Sequence, residues 1–109
     1  MFKKNITCKI ILLYFFITLS FSFSAKSQTS VSIQTAEQEL SNGNYEKALD
    51  IWQILSNRGN LIAINNLGFM YERGYGVTRN QKKAVALYKK AAEGGIAVAQ
   101  FNYGEALFL

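Results

Sequence analysis

The stretch LGFMYERGYGV, from Leu67 to Val77, and the run TRNQKKAVALYKKAAEGG that follows it decide the fold of this chain. Two glycines, Gly74 and Gly76, bracket a tyrosine between two segments of helical pattern. A phosphate-binding loop needs a strand before the glycines and a Lys-Ser or Lys-Thr pair after them, and the sequence has neither. The glycines are therefore predicted to end one helix and turn the chain into the next.

The residues on either side carry the usual signals for helix ends. Gly74 follows a predicted helix of about Leu61 to Arg73, at the position where a left-handed glycine closes a helix. Asn80 is placed to cap the N-terminus of the next helix. That helix is predicted to end at Gly94-Gly95, and Asn42-Gly43-Asn44 is predicted to be a tighter turn of the same kind.

A shift of 36 positions relates two separate pairs of segments. It aligns Glu46–Gly59 with Lys82–Gly95, and it places Gly68 on Gly104. Because two segments share one period, the chain is predicted to be built from repeated units. Glycine inside a helix lowers helix stability by about 1 kcal/mol relative to alanine. Gly68 and Gly104 therefore predict that another helix packs closely at these positions, where a side chain would block it.

Each unit is predicted to contain two helices with an apolar face. Apolar residues recur at i, i+3, i+4 and i+7, which is the spacing of one face of an amphipathic helix. The second helices carry this stripe twice, as Ala48, Ile51, Trp52 and Leu55 and again as Ala84, Leu87, Tyr88 and Ala91. The first helix of the middle unit is predicted to bury Ala63, Leu67, Met70 and Tyr71.

The pattern LG-x-x-Y-x-x-G-x-G-V followed by KKA-x-x-x-YKKAAE-x-G-x-A-x-AQ-x-x-x-G resembles the Sel-one-like repeat, a subclass of the tetratricopeptide repeat superfamily. The resemblance implies an all-α fold: a right-handed α-α solenoid, here of about two and a half helix pairs, acting as an adaptor between proteins. Secreted bacterial members are common in this family, and some have been credited with binding or hydrolysing β-lactams. One secreted type carries a cysteine pair in every repeat, which this chain lacks.

The N-terminal composition and the repeat together predict four parts of the chain. They are a signal peptide at 1–27, a tetratricopeptide-like helical unit at 28–58, one complete repeat at 59–94, and the first helix of an incomplete repeat at 95–109. Three interpretations of the last part stay open. It caps the stack, it pairs with another chain, or the sequence is a truncated piece of a longer repeat protein.

The N-terminus has the three parts of a secretory signal peptide. A lysine-containing start precedes the uncharged run Ile10–Phe23, which is shorter than the roughly 20 residues that span a membrane. Cleavage is predicted after Ala25-Lys26-Ser27, with Ser22-Phe23-Ser24 as the other candidate site. An uncleaved anchor is the alternative, and it is the only membrane contact that the sequence predicts. The expected location is outside the cytoplasm, secreted or periplasmic in a bacterium.

The leader also accounts for most of the charge. The chain carries +5, but residues 28–109 hold eight basic and seven acidic residues, a balance of +1. The basic isoelectric point therefore gives no indication of nucleic-acid binding. The only cysteine, Cys8, precedes the apolar run, so the predicted mature chain has no disulfide.

The sequence offers no catalytic set. It has no histidine, and no lysine has a serine three residues before it, so neither a zinc hydrolase nor a serine β-lactamase motif is present. Glu72 and Glu105 could approach each other on adjacent first helices, but they are interpreted as surface carboxylates. No catalytic residue, metal site or cofactor is predicted. A β-lactamase-like hydrolase remains the alternative on family association alone.

The first helices are predicted to carry the binding surface. In stacked helix pairs the first helices line the concave face, where asparagine amides can grip a peptide backbone and phenylalanines can seat apolar side chains. The candidate contacts to a protein or peptide partner are Asn65, Asn66, Phe69, Glu72, Phe101 and Glu105. The incomplete C-terminal repeat is also expected to allow self-association, since its helix lacks the second helix of its unit.

Overall fold

The computed structural model describes residues 30–108, and the predicted signal peptide lies outside them. Within this range the fold is all-helical and contains no strand. Its five helices are α1 (Ile33–Ser41), α2 (Tyr45–Asn57), α3 (Leu61–Arg73), α4 (Gln81–Glu93) and α5 (Ala97–Ala106). Each helix packs chiefly on its neighbours along the chain, in the manner of a helical repeat solenoid.

The predicted helix ends are confirmed. Gly74 is left-handed, with φ 71° and ψ 35°, and its N–H donates to the carbonyl of Met70. The Asn80 side-chain oxygen accepts a hydrogen bond from the backbone N–H of Lys83 at 3.0 Å and caps α4. Asn60 caps α3 in the same way through the N–H of Ala63. These caps satisfy backbone groups that the helices leave unpaired.

Gly76 has a role beyond the turn. Its φ is 68°, and a Cβ at this position would lie 2.8 Å from the carbonyl carbon of Tyr45. The loop after α3 therefore packs directly on the first residue of α2, and only glycine leaves room for it. The ring of Tyr75, beside it, stacks on the ring of Tyr45 at 4.3 Å.

The predicted apolar stripes form the core. Trp52 and Tyr88 occupy equivalent positions in α2 and α4, and both are fully buried. The largest buried cluster joins the first three helices and contains Ala36, Ala48, Ile51, Trp52, Leu55, Ala63, Leu67 and Met70. Leu87 and Tyr71 are only partly buried and pack on the rim of this cluster.

The close approach predicted at Gly68 is confirmed, whereas Gly104 has no such contact. A Cβ at Gly68 would lie 2.9 Å from Cε1 of Tyr88 and 3.3 Å from the carbonyl oxygen of Ala84. At Gly104, 36 positions further along, no atom of residues 30–108 lies within 4 Å of the place that a Cβ would occupy. The reason is that α4 covers this face of α3, while no helix within residues 30–108 covers the same face of α5.

No helix in residues 30–108 is both long enough and apolar enough to cross a membrane.

Candidate functional site

A groove between α3 and α5 brings together four of the six predicted contact residues. Its volume is about 450 Å³, and it is open to solvent. The two helices are first helices of successive units, as the repeat predicts. The groove is lined by Phe69, Glu72, Arg73, Phe101, Asn102, Glu105 and Phe108.

The two predicted asparagines are placed differently from the expectation. Asn65 is only 5% exposed, so the prediction that it is available to a partner is wrong. Its side-chain oxygen accepts a hydrogen bond from the Asn102 amide at 3.0 Å, and its own amide donates to the Asn66 oxygen at 3.2 Å. A buried amide must find partners within the protein, and here the bond from Asn102, which lines the groove, joins α5 to α3. Asn66 is partly exposed and does not line the groove.

Glu72 is held in a fixed position by the core. The hydroxyl of Tyr88, a buried residue of α4, donates a hydrogen bond to Oε2 of Glu72 at 2.9 Å. Burial, together with this hydrogen bond to a carboxylate, raises the pKa of Tyr88 above its ordinary value of 10.0. A neutral tyrosine therefore fixes a partly exposed carboxylate on the groove wall.

Aromatic rings give the groove an apolar wall. Phe101 is 65% exposed and Phe108 is 92% exposed, which is unusual for side chains of this size. Across from them, the ring of Phe69 meets Tyr75 edge-on, with the ring centroids 5.8 Å apart. The guanidinium of Arg73 lies over the ring of Phe69, 5.6 Å from its centroid.

The groove has unpaired negative charge. Among residues 30–108, neither Glu72 nor Glu105 forms an ion pair within 4.0 Å; the two ion pairs found there join Lys47 to Glu39 and Lys89 to Glu93. Two carboxylates therefore face one guanidinium, which is itself engaged with an aromatic ring. The groove thus offers exposed rings beside a carboxylate that is already oriented.

Sequence reasoning missed Asn102 and Phe108 as groove residues. The 36-residue shift relates Asn102 to Asn66 and Phe108 to Glu72, so the positions could have been found by transferring the first-helix surface to α5. A second cavity of about 470 Å³ lies at the turn between α1 and α2. It is lined by the turn and first residues of α2 with Gly76, and includes none of the predicted contacts.

The fold is that of a helical repeat protein, and an open groove lies between its first helices α3 and α5. Residues 61–96 match the family model described as Sel1 repeat, and this match supports placement with the Sel1-like and tetratricopeptide-like repeats. The predicted complete repeat, 59–94, covers nearly the same residues. Sel1 repeats generally mediate protein–protein interactions and are not catalytic. The chain matches no curated protein and no solved structure.

Replacing Tyr88 by phenylalanine tests the link between the core and Glu72. We expect Tyr88→Phe to lower the free energy of unfolding at about pH 8 by about 1–3 kcal/mol, because a hydrogen bond to a charged group is lost. Because the pKa of Tyr88 is raised in the folded protein, its contribution to stability is fully present below pH 10.0. That contribution falls as the pH rises above 10.0, because the tyrosine of the unfolded chain then ionises while Tyr88 in the folded protein stays neutral.

The difference between wild type and Tyr88→Phe should therefore shrink from about pH 8 to about pH 10.5 in urea titrations. A difference that stays constant or grows with pH would show that the hydroxyl does not sit neutral beside Glu72. The two proteins differ only at residue 88, so the contributions of all other residues cancel in the comparison.

Proposed function

We propose that this chain is an exported, non-catalytic repeat module that binds an extended segment of another protein in the groove between α3 and α5. The observation that carries the proposal is the groove itself, where exposed phenylalanines lie beside two carboxylates that have no ion-pair partner among residues 30–108. The general role of Sel1 repeats in protein–protein interaction supports it.

The chemistry of the groove favours a peptide that alternates apolar and cationic side chains. An apolar side chain would cover Phe101 and Phe108, and a lysine or arginine would lie between the carboxylates of Glu72 and Glu105. Glu72 needs no reorientation because Tyr88 already holds it, which lowers the entropic cost of binding. A cation next to an aromatic ring gains further attraction.

Overall charge does not explain such binding. The predicted mature chain carries about +1 and the whole chain +5, so its general field repels a cationic peptide. Binding of a lysine-containing peptide in preference to a glutamate-containing one would therefore point to the local carboxylates of the groove.

Fluorescence anisotropy with three labelled peptides tests the proposal. The peptides alternate leucine with lysine, with glutamate or with serine, and the leucine–lysine peptide is expected to bind most tightly. Phe101→Ala and Glu72→Gln should each weaken it by about tenfold, as removal of a central contact does. Ile54→Ala removes a 39% exposed apolar side chain from α2, outside the groove, and should leave the affinity unchanged.

Two results would contradict the proposal. One is equal binding of the lysine and glutamate peptides. The other is an equal loss of affinity in Ile54→Ala and Phe101→Ala, which would indicate adhesion to any exposed apolar side chain rather than to the groove.

Export is proposed from residues 1–27, which have the composition of a signal peptide. N-terminal sequencing of the chain recovered outside the cytoplasm tests it, with Gln28 as the expected first residue. Recovery of the whole chain in the cytoplasm would contradict it.

A further inference from the structure

Arg73 is the only basic residue of 30–108 that lines the groove, and it lies against a ring rather than against a carboxylate. Its guanidinium is 5.6 Å from the centroid of the Phe69 ring. Within residues 30–108 it forms no ion pair shorter than 4.0 Å, although Glu72 and Glu105 line the same groove. The charge of Arg73 therefore has two places to lie, over the ring or beside a carboxylate, and the structure has the first.

The carboxylate of Glu72 is within reach of the Arg73 charge. Burial, and after it the hydrogen bond to Glu72, raises the pKa of Tyr88, whereas the positive charge of Arg73 acts in the opposite direction. Such an effect requires the guanidinium to lie near the Tyr88 hydroxyl, which is itself 2.9 Å from Oε2 of Glu72. A short movement of the Arg73 side chain would therefore place it beside Glu72.

The Phe69 ring that holds Arg73 is itself supported by two tyrosines. It meets the ring of Tyr75 edge-on at 5.8 Å, and Tyr75 stacks on Tyr45 at 4.3 Å with the ring planes 4° apart. The loop beside this stack is fixed as well, because Gly76 packs on the backbone of Tyr45. Ring pairs of this kind attract each other beyond the area that they bury. The ring under Arg73 is therefore held in place before any partner binds.

The two contacts open to Arg73 are similar in strength. A cation over an exposed ring and a salt bridge between exposed side chains each stabilise a protein only weakly. Because neither contact is much stronger than the other, a firmly held ring is enough to decide where the charge lies. With Arg73 over Phe69, the carboxylate of Glu72 remains open to a cationic side chain of a partner.

We propose that Phe69 determines the charge selectivity of the groove by holding Arg73 away from Glu72. The proposal rests on the proposed function, because only a groove that binds peptides can select among them. Without the ring, Arg73 would turn to the carboxylate and neutralise it, and a lysine of the peptide would lose its partner. Phe69 carries no charge and is a positioning residue that acts through Arg73.

Phe69→Leu tests the proposal because it changes no charge. Binding of the leucine–lysine and leucine–glutamate peptides to the full chain is compared by fluorescence anisotropy. We expect the preference for the lysine peptide to fall by about fivefold in Phe69→Leu, which is the effect of one exposed ion pair. Circular dichroism checks the helix content. Phe69→Met makes the same test if the leucine variant does not fold, because the flexible methionine side chain fills the space without a ring.

A double-mutant cycle separates this mechanism from direct contact between Phe69 and the peptide. Arg73→Gln should raise the preference for the lysine peptide only slightly in the wild-type background, where Arg73 lies over the ring. In the Phe69→Leu background the same substitution should raise it by about fivefold, because it frees Glu72 again. If the ring of Phe69 instead contacted the lysine of the peptide, Arg73→Gln would have the same effect in both backgrounds.

Nuclear Overhauser contacts between the Hδ protons of Arg73 and the ring protons of Phe69 are expected in the free protein, and their absence would overturn the proposal. An unchanged preference in Phe69→Leu would also overturn it, as would equal gains from Arg73→Gln in both backgrounds. In these cases a wild type that prefers the lysine peptide would still support the proposed function. A wild type that binds both peptides equally would overturn the proposed function and this inference together.

Discussion

Replacing Trp52 by alanine is expected to lower the free energy of unfolding by about 3–5 kcal/mol. Trp52 is fully buried in the cluster that joins α1, α2 and α3, and it is one of the largest side chains in that state. Alanine would leave a cavity that three helices line and that cannot close without shifting one of them. Small domains are stable by only about 5–15 kcal/mol, so this single change should remove most of the stability.

Trp52→Phe is the matched control. The indole N–H of Trp52 is buried and has no hydrogen-bond partner within residues 30–108. Phenylalanine removes this unsatisfied donor while keeping most of the apolar volume, so the loss should be well below that of alanine. Urea unfolding followed by circular dichroism measures both variants, because both lack the only tryptophan. Equal losses in the two would indicate that the cavity is not the cause.

The apolar stripes and the helix ends were predictable because they depend on local sequence. The stripe that contains Trp52 and the stripe that contains Tyr88 each follow the helical period, and both bury as expected. Gly74 adopts the left-handed conformation that its place after a helix predicts. Local signals of this kind do not depend on how the helices are arranged in space.

The surface between first helices was harder to predict, because it depends on the distance between units. Asn65 has the character of a surface residue in sequence, yet the amide of Asn102 from the next unit buries it. The bond from Tyr88 to Glu72 likewise connects two helices, over 16 positions. The repeat alone predicted that four residues lie near one another, and the structure places them along one groove: Phe69, Glu72, Phe101 and Glu105.

Gly68 and Gly104 provide a second pair of variants, because they occupy the same position of the repeat but have different surroundings. Gly68→Leu should lower the free energy of unfolding by about 3 kcal/mol, at the upper end of the usual cost of overpacking. The Cβ alone would lie 2.9 Å from the buried ring of Tyr88 and 3.3 Å from the backbone oxygen of Ala84, so α4 would have to shift to make room.

Gly104→Leu is expected to have the opposite effect and to raise the free energy of unfolding. Leucine is a better helix former than glycine, and in the described part of the chain nothing lies within 4 Å of the new Cβ, so a gain in stability of up to about 1 kcal/mol is expected. Thermal melts of both variants at the same low concentration make the comparison. If Gly104→Leu lost as much stability as Gly68→Leu, then the face of α5 that holds Gly104 would be covered in solution. If both variants were neutral, α3 and α4 would not be in close contact at Gly68, and the packing that defines the repeat would be wrong.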